Sequence, residues 1–473
     1  MNELMQAMWS PGIFDAIILS TLLLCGQILK RKIPFFNTFL LPSAIIAGFL
    51  GLALGPEALG FLPLNPDRLG MYVYHLLALG FIALSLKDRP MSASSVVVKT
   101  SFFIVTMYLL QGILGLGLSI LAAYTFLPQT FPGIGLLLPM GFGQGPGQAF
   151  SIGRTWELAG IADAGSIGLT IATLGFLWAT FGGVTMANIL KKKYPPVAFV
   201  SNQNLKPDSP ELEELKNGLF GEPESPEEER GELTLSNMID LGTRQLFLIG
   251  LIYLATYGTL RGLSALLLPL GNVGENLANV LWGFHFVFGT MYAILVKLGM
   301  NKLKSLGLMR HQYNNNRNLS RISGTSFDFM VTAAIAAISI TVILSSWQII
   351  LLISLTGGLL TWWFSIFVAK RVFQVDILEY SLVFFGTYTG TLSTGMALLR
   401  TVDPTFRTKV ADTMVLASGL SLFLAFPLLL ILNLPVVAFV EDQPVIYFYA
   451  LAALVGYSLF TGFFLFRKAA KVK

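Results

Sequence analysis

Two apolar tracts in this chain are broken where no helix can run through. Gly141-Phe142-Gly143-Gln144-Gly145-Pro146-Gly147 places four glycines and a proline in seven positions. In a helix interior each glycine costs about 1 kcal/mol and a proline about 3. The flanks, Gly135 to Met140 and Gln148 to Trp156, are nevertheless apolar or weakly polar. A second broken tract reads Gly386-Thr387-Tyr388-Thr389-Gly390-Thr391-Leu392-Ser393-Thr394-Gly395. Irregular backbone at membrane depth is tolerated only where it is buried in protein or lines a wet cavity. Both runs therefore read as tips of re-entrant hairpins with backbone groups free for a ligand. A loop outside the bilayer, or glycines placed for close packing, is the bland alternative.

The membrane setting follows from the rest of the chain. Of 473 residues, 54% are hydrophobic and 12% charged, against about 25% charged in soluble proteins. A span needs about 20 apolar residues. Candidates are 12–29, 39–55, 69–86, 101–124 and 161–190, then 245–269, 277–297, 326–343, 347–369, 410–433 and 445–466. The broken tracts, 132–157 and 376–400, are left over. Each of their arms is about ten residues, roughly half a bilayer core, which suits a segment that enters and leaves on one side.

Between the halves, residues 194 to 240 carry eleven acids and three bases, a net of −8, so the remainder of this +5 chain carries +13. Pro207, Pro210, Pro223 and Pro226 add to the acids in disfavouring a folded core, although a short amphipathic helix at Glu211 to Phe220 is an option. The basic excess sits in alternate loops, at Lys30-Arg31-Lys32, Lys87 to Lys99 and Lys191-Lys192-Lys193, and later at Lys297 to Arg321, Lys370-Arg371, Arg400 to Lys409 and the tail. By the positive-inside rule the N-terminus is outside, and the linker and C-terminus are cytoplasmic. Loop charge of this kind implies no nucleic-acid partner.

The halves share one plan of four spans, a hairpin and a fifth span. Five is odd, so the second copy is inverted. Phe142-Gly143 and Gly147 answer Phe385-Gly386 and Gly390, Arg154-Thr155 answers Arg400-Thr401, and Ala162-Asp163 answers Ala411-Asp412. The expected fold is thus an all-α polytopic membrane protein. Residues 1–190 and 244–433 form two inverted repeats of five transmembrane helices and one re-entrant hairpin each. An acidic linker at 191–243 joins them, and 434–473 adds an extra transmembrane helix and a basic tail. Inverted repeats with broken helices meeting near the midplane mark secondary transporters.

Half-helix N-termini offer amides and a positive dipole to anions, and the N-terminal ends are expected near Gly147–Gln148 and Gly395–Met396. Substrate-binding candidates are Gly143, Gln144, Gly145, Gly147, Gln148, Thr387, Gly390, Ser393, Thr394, Gly395 and Arg400. The hydroxyls of Thr387, Thr389 and Thr391 are candidate Na⁺ ligands by hard-cation logic; the alternative is a polar turn bonding its own backbone. Arg154 and Arg400 either hold a carboxylate or snorkel to headgroups. His75 and Asp328 fall at nearly matching repeat positions and allow a proton relay as an alternative coupling device, while His285 reads as a packed core histidine. No metalloprotease, Walker, Cys-x-x-Cys or serine-elbow pattern occurs, so neither an enzyme nor an organic cofactor is expected.

The two glycine-rich runs, Met140 to Ala149 and Phe385 to Gly395, together with Ile33-Pro34 through Leu41-Pro42-Ser43 and Ala47-Gly48, resemble those of bacterial sodium/glutamate symporters. The resemblance implies a Na⁺-coupled symporter of the inner membrane, a homodimer in which a substrate domain moves against a dimerisation scaffold. The substrate would be glutamate or a related carboxylate, with substrate and sodium held at the hairpin tips. Phe142 and Gln144 stand where that family carries a glycine and a histidine. A proton-coupled carrier, or a channel or receptor on the same scaffold, are the alternatives.

Overall fold

A computed structural model describes residues 11–87, 94–194, 235–308, 315–404 and 407–467. Among them there are helices and no strands. The acidic linker, including the helix envisaged at 211–220, lies outside the described residues apart from its ends, as do the first ten residues and the tail from 468.

The first half contains α1 (Pro11–Lys32), α2 (Pro34–Thr38), α3 (Ser43–Leu54), α4 (Pro66–Leu86) and α5 (Ser95–Thr125). A broken segment follows, then α6 (Pro146–Leu158) and α7 (Ala164–Leu177), which a π-helical turn at Trp178–Gly182 carries on to Lys191. The second half has α8 (Leu235–Leu267), α9 (Asn272–Gly283), α10 (His285–Ser305), α11 (Asn316–Ala336), α12 (Ile340–Val368), α13 (Ile377–Tyr388) and α14 (Leu392–Arg400). It ends with α15 (Val410–Leu424), α16 (Phe426–Ile431), α17 (Leu434–Val440) and α18 (Val445–Phe466). Seven helices are long and apolar enough to cross a membrane, or nine if each of two bent pairs is one span, among the described residues. Their outer faces are apolar too. On α12, Leu344, Trp347, Leu355, Leu359 and Trp363 are all exposed. Water would not tolerate such a surface, and lipid favours it. These long apolar helices are compatible with a multi-pass membrane protein.

Helix starts follow local chemistry. Asn65 and Asn315 cap α4 and α11 by accepting the Arg68 and Asn318 amides at 3.0 Å, which satisfies an orphan donor in each first turn. The cap of α12 comes from elsewhere in the chain. Glu57 Oε2 accepts from Ile340 N at 3.1 Å and from Ser339 Oγ at 3.3 Å, placing an anion at a helix N-terminus.

Several spans differ from expectation. The span at 39–55 is only the 12-residue α3, roughly 18 Å of helix. Leu40 adopts a positive φ of 57°, and Pro42, which has no N–H, ends any continuity with α2. The span at 277–297 bends by 61° between α9 and α10. Side chains take the carbonyls freed at the bend: Tyr74 Oη donates to Trp282 O at 2.7 Å and Ser151 Oγ to Gly283 O at 2.9 Å, a recognised origin of kinks. The span at 410–433 bends by 50° and extends to Val440, with Pro427 and Pro435 near the starts of α16 and α17. The boundary between the spans at 326–343 and 347–369 falls at residues 337–339, earlier than hydropathy places it.

The packing follows a crossed scheme. α3 and α10 lie against α11 and α4, and α4 and α11 pair with each other. α5 packs on α15, and α12 packs on α7. α18 lies along α5, where Thr106 Oγ1 donates to Thr461 Oγ1 at 3.0 Å. Both broken segments sit inside this frame.

Candidate functional site

The first broken segment begins as a 3₁₀ turn at Ile134–Leu136 and a π-helical turn at Pro139–Gln144. It breaks at Gly145, whose φ of 95° suits glycine and few other residues. Pro146 then opens α6 at the first helical position, where its missing N–H costs nothing. No side chain caps this helix. Gly145, Gly147 and Gln148 are buried and Gln144 is half-buried.

The second break lies between α13 and α14. The new helix starts at Leu392, three residues earlier than the glycine pattern suggests, because its N-cap Thr391 and Thr394 form a reciprocal capping box. Thr394 Oγ1 accepts from Thr391 N at 2.8 Å and donates towards Gly386 O and Thr391 O, each at 2.7 Å. Thr389 Oγ1 donates to Phe385 O at 2.7 Å. These hydroxyls bond their own backbone, the polar-turn geometry, and keep lone pairs. Gly395 is a packing glycine: a Cβ there would collide with Thr387 Oγ1 and stand 2.8 Å from Val383 O.

The two tips touch. A Cβ on Gly145 would lie 3.7 Å from Thr391 Cγ2 and 3.9 Å from Gly390 O. What holds them together is α7. Gly168, Gly175 and Gly182 recur every seven residues along it. Gly168 meets Ala149 of α6, Gly175 meets both Phe142 and the carbonyl of Thr389, and Gly182 meets Phe385 of α13. Small residues allow this close backbone approach, so one helix seats both hairpins.

Two of the predicted residues stand apart. Ser393 and Arg400 are exposed, and α14 carries Arg400 roughly 13 Å along its axis from Thr391. Arg154 pairs with Glu157 at 2.7 Å and Asp67 at 3.4 Å. At the base of the second hairpin, burial and the nearby Asp403 raise the Asp376 carboxyl above its ordinary range. His75 Nδ1 lies 2.6 Å from Tyr253 Oη, while Asp328 lies in the field of Lys30, so the two residues proposed for a relay face different partners. His285 is packed: a ring nitrogen is 2.8 Å from Tyr74 O and the ring stacks on Tyr74.

Hydropathy gave no reason to select Gln111, yet it lies at the centre. It is fully buried on α5. Its Nε2 donates to Thr361 Oγ1 of α12 and to Tyr388 O at the end of α13, both at 2.9 Å. A Cβ at Gly143 would stand 3.1 Å from its Oε1 and 2.5 Å from the Tyr108 ring. Buried polar atoms without a hydrogen-bond partner among the described residues include Gln111 Oε1, Gln148 Oε1 and Thr387 Oγ1. Leaving such a group unsatisfied costs about 1–3 kcal/mol. That these three cluster on or beside the hairpins gives the region unmet capacity for a ligand. The only sequence cue to Gln111 is a carboxamide in the middle of an apolar span.

No family model, curated protein or solved structure matches this chain.

Proposed function

We propose that this protein is a secondary active transporter, performing Na⁺-coupled symport of glutamate or a related carboxylate across the cytoplasmic membrane. The observation that carries the proposal is the close approach of two broken helices at Gly145 and Gly390–Thr391 within a buried, helical frame. The uncapped N-terminus of α6 supplies amides and the positive end of a dipole to a carboxylate. Thr387, Thr389 and Thr391 supply oxygens for sodium, and a hydroxyl that donates to a carbonyl still presents lone pairs to a cation.

An inverted-repeat reading is supported by the crossed packing. The second helix of each half lies against the third of the other (α3 on α11, α10 on α4), and the fourth against the fifth (α5 on α15, α12 on α7). A two-fold relation between the halves would generate this exchange. The resemblance to sodium/glutamate symporters adds the expectation of a homodimer and of rocking or sliding between a hairpin-bearing unit and a scaffold.

The test is uptake into proteoliposomes. An inward sodium gradient is expected to drive accumulation of at least one acidic amino acid or dicarboxylate. Gly145→Leu or Gly390→Leu is expected to abolish uptake while protein remains in the membrane. If no carboxylate from a broad panel accumulates with sodium or with a pH gradient, the proposal fails, and uptake driven by pH alone would move the coupling to protons.

A further inference from the structure

We infer that the carboxamide oxygen of Gln111 and the carbonyls that end the first arm of the hairpin at Gln144 form a binding site for a monovalent cation. This site is separate from the threonine hydroxyls of the second tip, and it rests on the transporter reading for its role but not for its chemistry.

The geometry begins with the other end of the same side chain. Both protons of Gln111 Nε2 are committed, to Thr361 Oγ1 and to Tyr388 O. That fixes the amide plane and leaves Oε1 buried on the side of Gly143 with no donor. The first arm presents the matching backbone. Its π-helical turn ends at Gln144, Gly145 turns away with a positive φ, and Pro146 has no N–H to give. A helix end leaves its last carbonyls without intrahelical donors, and here the next residue able to help is a proline. These carbonyls are also the negative end of the arm's dipole. The orphan carboxamide oxygen therefore lies against Gly143, in the turn whose last carbonyls lack intrahelical donors.

The oxygens are all formally neutral. No cluster of three or more acidic, histidine or cysteine side chains suited to a metal ion occurs among the described residues. The buried acids Asp15 and Asp403 are engaged elsewhere, Asp15 with Arg68 at 2.5 Å and Asp403 with Thr408 Oγ1 at 2.6 Å. Divalent cations are ordinarily held by carboxylates, so neutral oxygens select a single charge, as carbonyl rings do in cation channels. Tyr108, packed on Gly143 and edge-on to Tyr388, covers the site with an aromatic ring. One side chain thus touches both tips: a cation on Oε1 draws in the first while Nε2 holds the second, so that occupancy of the site is linked to tip closure.

The experiment reads the melting temperature of the purified protein against NaCl, with choline chloride keeping ionic strength constant. Wild type is expected to be stabilised by sodium. Gln111→Leu is expected to raise the half-saturating sodium concentration at least tenfold, and Gln111→Glu, which retains Oε1 and adds charge while giving up the two Nε2 hydrogen bonds, to lower it at least twofold. A wild type unresponsive to sodium, or a Gln111→Leu protein with the wild-type midpoint, overturns the site. If Gln111→Leu does not reach the membrane, Gln111→Glu decides, and an unchanged midpoint overturns the assignment. A Gln111-dependent sodium shift without sodium-driven uptake would leave the site standing and defeat the transport reading instead.

Discussion

Thr394 holds the second tip closed through a single hydroxyl that serves as both cap and strap. Its Oγ1 satisfies the Thr391 amide and reaches across the hairpin to Gly386 O. Losing an N-cap interaction costs about 1 kcal/mol, and stranding a buried carbonyl costs about as much again. Thr394→Val is therefore expected to destabilise the protein by roughly 2 kcal/mol, read as a fall in melting temperature in detergent. Thr394→Ser, which keeps the hydroxyl, is expected to recover most of the loss; a valine variant as stable as wild type would remove the strap from the account. The same residue shows why a pattern of glycines misplaces a break. Spacing favours a helix start at Gly395, but Thr391 and Thr394 bond reciprocally, and that capping box moves the start to Leu392. Gly395 is small for a different reason, because Thr387 Oγ1 and Val383 O leave no room for a side chain.

At the scale of elements, α7 is the part on which the site depends most. Its glycines at 168, 175 and 182 form one stripe, and Gly175 is the member in contact with both tips. An added methyl there would meet the Thr389 carbonyl, which is backbone and cannot rotate away. Overpacking of this sort costs about 1–3 kcal/mol and would push the tips apart. Gly175→Ala is expected to lower sodium-driven uptake at least tenfold with near-normal protein in the membrane, and an unaltered rate would show that the tips do not need this contact. The stripe was present in the sequence, but close glycines in apolar helices are common and do not say what they face. Long spans such as α5 and α12 were legible because hydropathy reports length. The interruption at Pro42, the bend after Gly283 and the bend near Pro427 were not read as breaks, since apolarity continues through them and their geometry depends on Tyr74, Ser151 and local prolines. Gln111 was missed for a related reason: its importance comes from Tyr388 O and Gly143, which are more than 30 positions away and reach it only through the fold.

For the molecule as a whole, the orientation argument makes a prediction that packing alone does not. Lys191-Lys192-Lys193 follows the fifth segment of the first half, and on the proposed topology the excess of basic residues on alternate loops would put that side in the cytoplasm. The next helix, α8, has 33 residues, roughly 50 Å, longer than the hydrocarbon core at about 30 Å. On the proposed topology its two ends lie on opposite faces. On the proposed inverted-repeat reading, an odd number of crossings in the first half would invert the second and let the first hairpin open outward and the second inward. With Cys25 replaced by serine, single cysteines at Ser201 and Asn272 are expected to react with an impermeant maleimide from opposite sides of intact cells, Asn272→Cys in whole cells and Ser201→Cys only after permeabilisation. Labelling of both from one side would mean that α8 does not cross. The halves would then share one orientation, and two hairpins entering from the same face could not alternate access to a common site.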